Sequence, residues 1–409
     1  MRVLYITAEV PYPLTSGYLR HFHILRGLSV RHDVTLVSLT RRGELSPEAS
    51  AVLGEFLTGL EVIAPSGAGR GILGRAERVL LRRAAARWLA RRVRERLESE
   101  PFDVVLFSGK DTFPALGAVA GVPVVVDVCD AASLRLRGQL EIASRGQRPA
   151  LAARLAEIRR VERRIADATP HLLFASERDR TAVMGDREGG EVVPNAVDLD
   201  YWRRSPDAAT GSRVVLTGVM NYAPNHDAAM RLAEHILPLV RADVPDAELV
   251  IAGRDPLPEL LASAETRPWL KITGSVPDLR PEIEAATVYC APLRFASGIQ
   301  NKVLEALAME VPVVTTPVVA DGVRSGDQEP PLVVESDDEA LAAAIVRLLR
   351  TPEEYGHIAV DGRRYVEQAF SWPRSVAAVD SALHRAAGAT FSAHAGAGAG
   401  LRPAEVSAR

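Results

Sequence analysis

Short apolar runs alternate with amphipathic segments along most of the chain, and this alternation predicts the secondary structure. The runs are rich in β-branched residues and of the length expected for buried strands. We place strands at 2–7, 33–40, 60–64, 103–108, 122–128, 171–175, 213–218, 248–253, 271–274 and 287–291. We place the main helices at 17–30, 151–167, 226–240, 338–349, 352–370 and 371–387. Strands and helices in alternation predict an α/β protein built on parallel sheets with right-handed connections.

The alternation pauses after residue 203 and starts again at residue 213, which indicates two domains. A chain of 409 residues is long enough to form two separate cores. The predicted units are therefore 1–203, 204–370 and a final helix over 371–387. From 388 to 409 the sequence is rich in alanine and glycine without periodicity, and we predict a disordered tail there.

The composition is that of an ordinary globular protein, with 47% hydrophobic and 25% charged residues. The two cysteines, Cys129 and Cys290, form no CxxC pair, so neither a disulfide framework nor a zinc site is indicated. The first residues have the pattern of a strand and a loop rather than of a signal peptide. No apolar run approaches the roughly 18 residues of a transmembrane helix. We therefore expect a cytoplasmic protein.

The loop between the first strand and the first helix occupies the position of a Rossmann phosphate loop. It contains prolines but no GxGxxG motif, which disfavours a dinucleotide-dependent oxidoreductase. Thr15 or Ser16 is expected to cap the helix that follows.

The stretch 291–315 (APLRFASGIQNKVLEALAMEVPVVT) has the strongest signs of a binding site. Its pattern predicts a strand end, a glycine turn, a helix and another strand. Gly298 stands at the tight bend before the helix, where a residue without a Cβ is favoured. The free amides at the start of the helix, together with its positive dipole end, form an anion site.

Lys302 stands out because the chain contains 49 basic residues but only three lysines and only four asparagines. The sequence Gln300-Asn301-Lys302 brings one of each together at the start of the predicted helix. A compact ammonium group, rather than a planar guanidinium, suits contact with a diphosphate oxygen.

Glu305 lies among apolar neighbours, so its helix is expected to contact the sheet on more than one side. A carboxylate in such a place is costly unless a hydrogen-bond donor reaches it. One interpretation is a surface ion pair between Lys302 and Glu305. The other, which we favour, places Lys302 on a phosphate and lets Glu305 accept hydrogen bonds from ribose hydroxyls.

This stretch resembles the nucleotide-sugar site of the retaining GT-B glycosyltransferases, a family that includes sucrose synthases and bacterial mannosyltransferases. The usual pattern there is Glu, seven residues, a second Glu, and a strand of the type Gly-x-Pro-Val-Val. Glu305 matches the second Glu and 311–314 (VPVV) matches the strand. Ser297 replaces the first Glu, and Glu310 stands where glycine is common. Residues 298–306 (GIQNKVLEA) resemble an exopolysaccharide-associated branch of the family.

The resemblance implies a GT-B fold, in which two Rossmann-like domains face each other across a cleft and the last helix crosses back to the N-terminal domain. It also implies that the second domain binds the donor. The donor-binding candidates there are Ser297, Gly298, Ile299, Gln300, Asn301, Glu305, Val276, Arg254 and Asn221. Many relatives carry an Arg and a Lys after the strand at 213–218, and neither is present here. Phosphate binding is therefore expected from Lys302, the helix amides and Arg294.

In the first domain, the resemblance assigns the loop after the first strand to the cleft. Gly17 is thereby a donor-site candidate, and Arg20 and His21 are acceptor-side candidates. The alternative for Arg20 and His21 is a solvated helix face. Asp130 follows the strand at 122–128, at the edge where parallel sheets bind ligands. We take Asp130 as a candidate catalytic residue that contacts the donor sugar or steers the acceptor; the alternative is an N-cap of the next helix.

Residues 70–96 contain ten arginines and two glutamates, interleaved with leucines and Trp88 at roughly helical spacing. Such a basic amphipathic helix can lie on an anionic membrane, which would place the protein at the inner membrane face. The alternative is a solvated arginine face. Nucleic-acid binding is disfavoured because no stacking pattern accompanies the charge.

The sequence Asp198-Leu199-Asp200 matches the short DxD metal signature of a different glycosyltransferase architecture. A turn is the favoured interpretation, and we assign no metal ion.

The sequence as a whole predicts a glycosyltransferase that moves a sugar from a nucleoside-diphosphate sugar to an acceptor hydroxyl, with retention of configuration. Lys302, Arg294 and Asp130 are the catalytic candidates, and no cofactor is expected. The acceptor is expected to be a carbohydrate, a lipid-linked saccharide or a small molecule. Two alternatives remain open, an isomerase similar to nucleotide-sugar 2-epimerases and a non-catalytic nucleotide-sugar binding protein.

Overall fold

The computed structural model describes residues 1–12, 18–40, 45–63, 75–205 and 211–398. The candidate Gly17 and the predicted caps Thr15 and Ser16 lie outside these ranges, as does 70–74 of the basic segment.

The N-terminal domain is built on a parallel sheet of seven strands in the order β3-β2-β1-β4-β5-β6-β7. The strands are β1 (Arg2–Thr7), β2 (Asp33–Leu39), β3 (Gly59–Ile63), β4 (Val104–Ser108), β5 (Val124–Cys129), β6 (Leu172–Phe174) and β7 (Glu191–Val192). The helices are α1 (Leu19–Ser29), α2 (Pro47–Gly54), α3 (Arg75–Ser99), α4 (Gly109–Thr112), α5 (Ala132–Ile142), α6 (Arg148–Ala168) and α7 (Glu177–Met184), with a 3₁₀ helix at Phe113–Ala118.

The C-terminal domain is built on a parallel sheet of six strands in the order β10-β9-β8-β11-β12-β13. These are β8 (Arg213–Thr217), β9 (Glu248–Ala252), β10 (Leu270–Gly274), β11 (Val288–Ala291), β12 (Val313–Thr315) and β13 (Val333–Val334). The helices are α8 (Ala223–Arg231), α9 (Leu237–Asp243), α10 (Pro258–Glu265), α11 (Arg280–Glu284), α12 (Asn301–Ala308), α13 (Pro317–Gly322), α14 (Asp338–Arg350), α15 (Gly356–Ala369) and α16 (Trp372–Gly398). A π-helical turn at Leu232–Ile236 joins α8 to α9, and a 3₁₀ turn at Pro352–Tyr355 precedes α15.

Both sheets are apolar on both faces because helices cover each side, which is what an all-parallel sheet requires. In the first domain, alternate residues of β1 point into two different cores: Leu4 and Ile6 into one, Val3 and Tyr5 into the other. The predicted α/β class with two Rossmann-like domains is confirmed. Every strand predicted from an apolar run is present within two residues of its predicted bounds.

The last helix returns to the N-terminal domain. Val379, Leu383 and Ala386 of α16 are buried in the core that lies beneath α1, and Trp372 stacks on His23 with ring centroids 4.3 Å apart. The crossing that the resemblance implied is therefore observed. The helix continues through Gly398, beyond the predicted end at 387, and the disorder of the tail stays a prediction. Alanine, the best helix former, outweighs glycine in this segment.

Candidate functional site

The carboxyl ends of β5 and β11 meet the start of α12 in the space between the two domains. Asp130 follows β5, and the turn at Ser297 and Gly298 precedes α12. The hydroxyl of Ser297 donates to Oδ2 of Asp130 at 2.5 Å. The structure thus joins two candidates that lie 167 residues apart in the sequence. Asp130 is not the N-cap of α5, whose cap residue is Ala131, so that alternative is wrong.

Gly298 forms the tight bend that its sequence position predicted. Its φ is +64°, in the left-handed region that favours glycine. A Cβ at this position would lie 3.1 Å from Cβ of Asp130. The Gly298 amide donates to Oδ1 of Asp179 at 3.1 Å. The bend is therefore held against the N-terminal domain, and a side chain at this position would crowd Asp130.

Lys302 lies in the first turn of α12 beside the loop that follows β8. Its Nζ donates to Oε1 of Gln300 at 2.9 Å, and a Cβ added to Gly218 would lie 3.3 Å from its Cε. Burial lowers the pKa of the Lys302 ammonium to about 8, although the nearby Glu305 raises it in part. At that pKa the ammonium is still mostly charged at neutral pH, and an anion bound beside it would raise the pKa again.

Two glycines bring the backbone of the β8 loop close to the backbone after β9. Gly218 and Gly253 have φ of +151° and +145°, and a Cβ on Gly253 would lie 1.8 Å from the carbonyl oxygen of Gly218. Beside them, Nδ2 of Asn225 donates to the carbonyl oxygen of Val219 at 3.0 Å. Oδ1 of Asn225 is buried and has no partner in the described structure. A buried acceptor without a donor marks a place where a ligand donor fits.

Asn225 directly precedes the helix that the sequence predicted at 226–240, where it would act as the N-cap. The structure contradicts this, because α8 begins at Ala223, before Asn225, and Tyr222 is its N-cap residue.

Glu305 is 9% exposed. Burial raises the pKa of its carboxyl group to about 7, although the positive charge of Lys302 lowers this pKa in part. Lys302 donates to Gln300 instead of forming an ion pair with Glu305. Within the part of the chain that the structure describes, no donor reaches the Glu305 carboxylate. The surface ion-pair interpretation is therefore wrong.

Arg20 is 4% exposed and lies in a network that spans the two domains. Its Nε and Nη2 donate to Asp127 at 2.7 and 2.9 Å, and its Nη1 donates to Oδ1 of Asn195 at 3.1 Å. Nδ2 of Asn195 in turn donates to Oδ1 of Asn301 at 3.0 Å. The solvated-face alternative for Arg20 is wrong. The guanidinium links the first helix of one domain to the donor-site helix of the other.

His21 is also turned inward. Its Nδ1 lies 2.9 Å from the Tyr5 hydroxyl and its Nε2 lies 2.9 Å from the Ser108 hydroxyl. Burial lowers the pKa of the imidazole to about 4, so His21 is neutral at neutral pH. The solvated face is wrong for His21 as well, and an acceptor contact by either residue stays a prediction.

Two residues of α7 that the sequence reasoning missed connect the domains directly. Asp179 accepts from the amides of Ala131 (2.8 Å) and Gly298 (3.1 Å), and burial raises the pKa of its carboxyl group. Arg178 donates to the carbonyl oxygens of Val318 at 2.7 Å and of Ala296 at 3.1 Å. The only signal in the sequence is that Ser176 and Asp179 have the spacing of a capping box. A capping box predicts the start of a helix and gives no indication of a contact between domains.

Most of the remaining candidates of the second domain lie nearer the surface. Arg294 is held by Asp227, whose hydrogen bond is the main reason why the pKa of the guanidinium is raised. Arg254 pairs with Asp255 at 2.8 Å. Asn221 is exposed, Val276 is half-buried in the loop after β10, and Ile299 is 8% exposed. Arg294 is thus engaged by a carboxylate instead of pointing freely at a phosphate.

The described part of the basic segment, 75–96, lies in α3. Leu89 and Val93 are buried in the core, whereas Trp88 is 49% exposed. Arg91 and Arg92 pair with Glu95, which favours the solvated face without testing a membrane contact. Among the residues that the structure describes, no helix combines the length and the hydropathy needed to span a bilayer.

The favoured interpretation of the DxD sequence is confirmed for its first aspartate. Oδ1 of Asp198 accepts from the amides of Asp200 at 3.1 Å and of Tyr201 at 3.0 Å, which is a turn.

Known proteins resemble both the sequence and the fold. Residues 211–351 match the family model described as glycosyl transferases group 1. A sucrose-phosphate synthase from Thermosynechococcus elongatus has a similar structure, with a TM-score of 0.72 and 15% identity over 96% of this chain and 100% of that one. The structure of Anabaena HepE in complex with UDP and glucose gives a TM-score of 0.64 and 15% identity over 94% and 100%.

The fold is GT-B. The matched family region, 211–351, contains the six strands of the second sheet together with α12, Lys302 and Glu305.

A curated relative is the MMP α-(1→4)-mannosyltransferase of Mycolicibacterium hassiacum, 26% identical over 247 residues. That match covers 57% of this chain and 58% of the relative, so it spans less than two thirds of the relative's length.

Proposed function

We propose that this GT-B protein is a glycosyltransferase that uses a nucleoside-diphosphate sugar as donor and transfers the sugar with retention to an acceptor hydroxyl. The observation that carries the proposal is the surroundings of Lys302. A half-buried ammonium group, which forms no ion pair with any residue that the structure describes, lies at the start of α12, beside the close approach of Gly218 and Gly253. Similarity to proteins whose structures hold UDP or whose name is mannosyltransferase supports the same assignment.

The diphosphate is proposed to bind between the amides of α12 and the β8 loop, with Lys302 on one of its oxygens. As the bond between sugar and phosphate breaks, negative charge grows on the diphosphate. Preorganised amides and the ammonium group stabilise that charge, and this is the main catalytic term. Because these groups supply the positive potential, we propose that transfer needs no metal ion.

Glu305 is proposed to accept hydrogen bonds from the ribose hydroxyls of the donor. Its carboxylate is buried and lacks a donor in the described structure, and two hydroxyls would supply what is missing. Asp130 and Ser297 are proposed to face the donor sugar, because their mutual hydrogen bond lies at the domain boundary beside the Gly298 turn.

Retention is proposed to follow a front-face path, in which the leaving phosphate accepts the proton of the acceptor hydroxyl. This path needs no carboxylate nucleophile. The epimerase alternative needs acid and base groups in the cleft. It is not favoured, because the imidazole of the inward-facing His21 is already engaged by the hydroxyls of Tyr5 and Ser108.

The first experiment measures thermal stability of the wild type against a panel of nucleoside diphosphates and their sugars. A ligand that binds only the folded state raises the Tm as its concentration exceeds Kd. We expect one nucleotide to raise the Tm of the wild type, and at least a tenfold higher Kd for Lys302→Ala. Lys271→Ala is the matched control, because Lys271 is an exposed lysine of the same domain that pairs with Glu282.

Equal shifts in Lys302→Ala and Lys271→Ala would refute the assignment of the diphosphate to Lys302. Incubation of the donor without acceptor then separates the enzyme classes. Only an isomerase turns the sugar over under these conditions, whereas a transferase gives at most slow hydrolysis and a binding protein gives neither.

A further inference from the structure

A second cluster of polar side chains lies where the last helix meets the N-terminal domain. His32 lies in the turn after α1, and Asp380 and His384 lie one turn apart on α16. One ligand atom from each of the three lies within 4.8 Å of the other two. Oδ1 of Asp380 is 2.7 Å from Nε2 of His32 and 3.0 Å from Nδ1 of His384.

We propose that His32, Asp380 and His384 bind a divalent transition-metal ion of the zinc type. Two imidazole nitrogens and one carboxylate oxygen are ligands that zinc takes in proteins. Three protein ligands leave one tetrahedral position for water. The spacing i, i+4 presents Asp380 and His384 on the same face of α16, towards the turn that carries His32.

The surroundings of the cluster leave room for an ion to enter. A cavity of about 370 Å³ opens beside it, and its lining includes His32, Asp380 and Trp372. The side chains of His32 and Asp380 are 5% and 15% exposed, whereas that of His384 is 58% exposed. The ion would therefore be enclosed by two ligands and reached past the third.

Two positively charged groups near the cluster must move away when the ion binds. Nη1 of Arg31 is 3.5 Å from Oδ2 of Asp380, and its side chain is 72% exposed, so it can turn into water. The amino group of Met1 is 3.3 Å from Nδ1 of His32. With the ion on Nε2, the ring proton sits on Nδ1 and the amino group turns away from it.

This site is distinct from the donor site. Arg20 lies at one end of α1, and His32 follows the other end of this helix of 11 residues. At about 1.5 Å per residue, the two ends are roughly 16 Å apart. The ion would tie α16 to the turn before β2 and so stabilise the attachment of the crossing helix. It does not alter the proposal that sugar transfer itself needs no metal.

The test uses the full chain after treatment with EDTA, titrated with Zn²⁺ by calorimetry and in thermal melts. We expect Zn²⁺ to bind and to raise the Tm, and Co²⁺ to give the visible absorption of a tetrahedral site. His384→Ala removes an exposed ligand without opening the core and should weaken Zn²⁺ binding at least tenfold. His235→Ala removes an exposed histidine of the other domain and should bind Zn²⁺ like the wild type.

Failure of the wild type to bind Zn²⁺, or equal affinities of the two variants, would overturn the proposal. Asp380→Asn keeps the size of the side chain and should weaken binding in the same way as His384→Ala. The nucleotide-induced Tm shift should persist in His384→Ala, which separates this site from the donor site.

Discussion

Glu305 shows how one buried carboxylate can link stability to ligand binding. The pKa of its carboxyl group is raised from 4.5 to about 7, so the folded chain binds more protons than the unfolded chain between these values. Its contribution to the free energy of unfolding therefore falls as pH rises from 4.5 to 7. Above pH 7 the ligand-free protein holds a charged carboxylate that no hydrogen-bond donor of the described residues reaches. We infer that hydrogen bonds from the ribose hydroxyls of the bound nucleotide sugar offset this cost.

Glu305→Gln should make the ligand-free protein more stable at pH 8 and should weaken binding of the donor. The neutral amide removes the buried charge, a gain on the order of 1 kcal/mol at pH 8 that shrinks towards pH 5. The measurement is the Tm of both proteins across pH 5 to 8. The control is Glu310→Gln, an exposed carboxylate next to the same helix. A Tm difference that does not change with pH would contradict this account.

At the scale of elements, α7 joins the two domains through adjacent side chains of opposite charge. Asp179 accepts from the Gly298 amide, and Arg178 donates to the carbonyl oxygens of Ala296, before that turn, and of Val318, after β12. The same helix therefore fixes the turn that precedes α12. Closure of a cleft around the donor excludes water, and α7 is in a position to hold the closed form.

Arg178→Ala should weaken donor binding about tenfold and open the cleft. It leaves two carbonyl oxygens without their donor, which costs about 1–3 kcal/mol. The matched control is Arg180→Ala, because Arg180 lies on the same helix but pairs with Glu177 at the surface. Nucleotide titrations followed by Tm report the affinity, and small-angle scattering reports the radius of gyration. If both variants bind and scatter alike, α7 does not control closure.

The sequence predicted the local parts of this site and missed the parts that depend on distant contacts. Gly298, Lys302 and Glu305 lie within one turn and one helix, where composition and periodicity carry the signal. Asp179 contacts Gly298 from 119 residues away, and no local pattern distinguishes it from an ordinary helix start. Arg20 was similarly ambiguous, because an arginine on a helix usually faces solvent. Its partner Asp127 is distant in the sequence and comes close only in the folded protein.

Most strands were predictable because their apolar runs are buried on both faces of the sheet, whereas the edge strands β3 and β10 are only partly buried. The end of α16 was not, since alanine and glycine in alternation leave helix and coil close in free energy. The helix propensity of alanine favours a helix in this segment, whereas its content of glycine favours a coil.

At the scale of the whole molecule, α16 begins beside α15 in the second domain and packs on the first. Its contact with α1 is close at Gly27, where an added Cβ would lie 2.5 Å from Cγ2 of Val376. Glycine is therefore required here for helix approach rather than for backbone conformation. Since α16 bridges the domains, its distance from α1 also sets how the second domain is held against the first.

Gly27→Ala should lower the Tm and weaken donor binding, although Gly27 touches no donor-site residue. Val376→Ala removes the two methyl groups that the new Cβ would meet, so the double variant should recover part of both losses. We expect a coupling energy on the order of 1 kcal/mol between the two positions, measured by denaturant unfolding of the four proteins. Gly54→Ala is the control, because nothing lies within 4 Å of a Cβ at that helix end. Recovery of the Tm without recovery of donor affinity would show that α16 anchors the fold but does not set the cleft. Recovery of both would show that the crossing helix transmits its packing to the donor site.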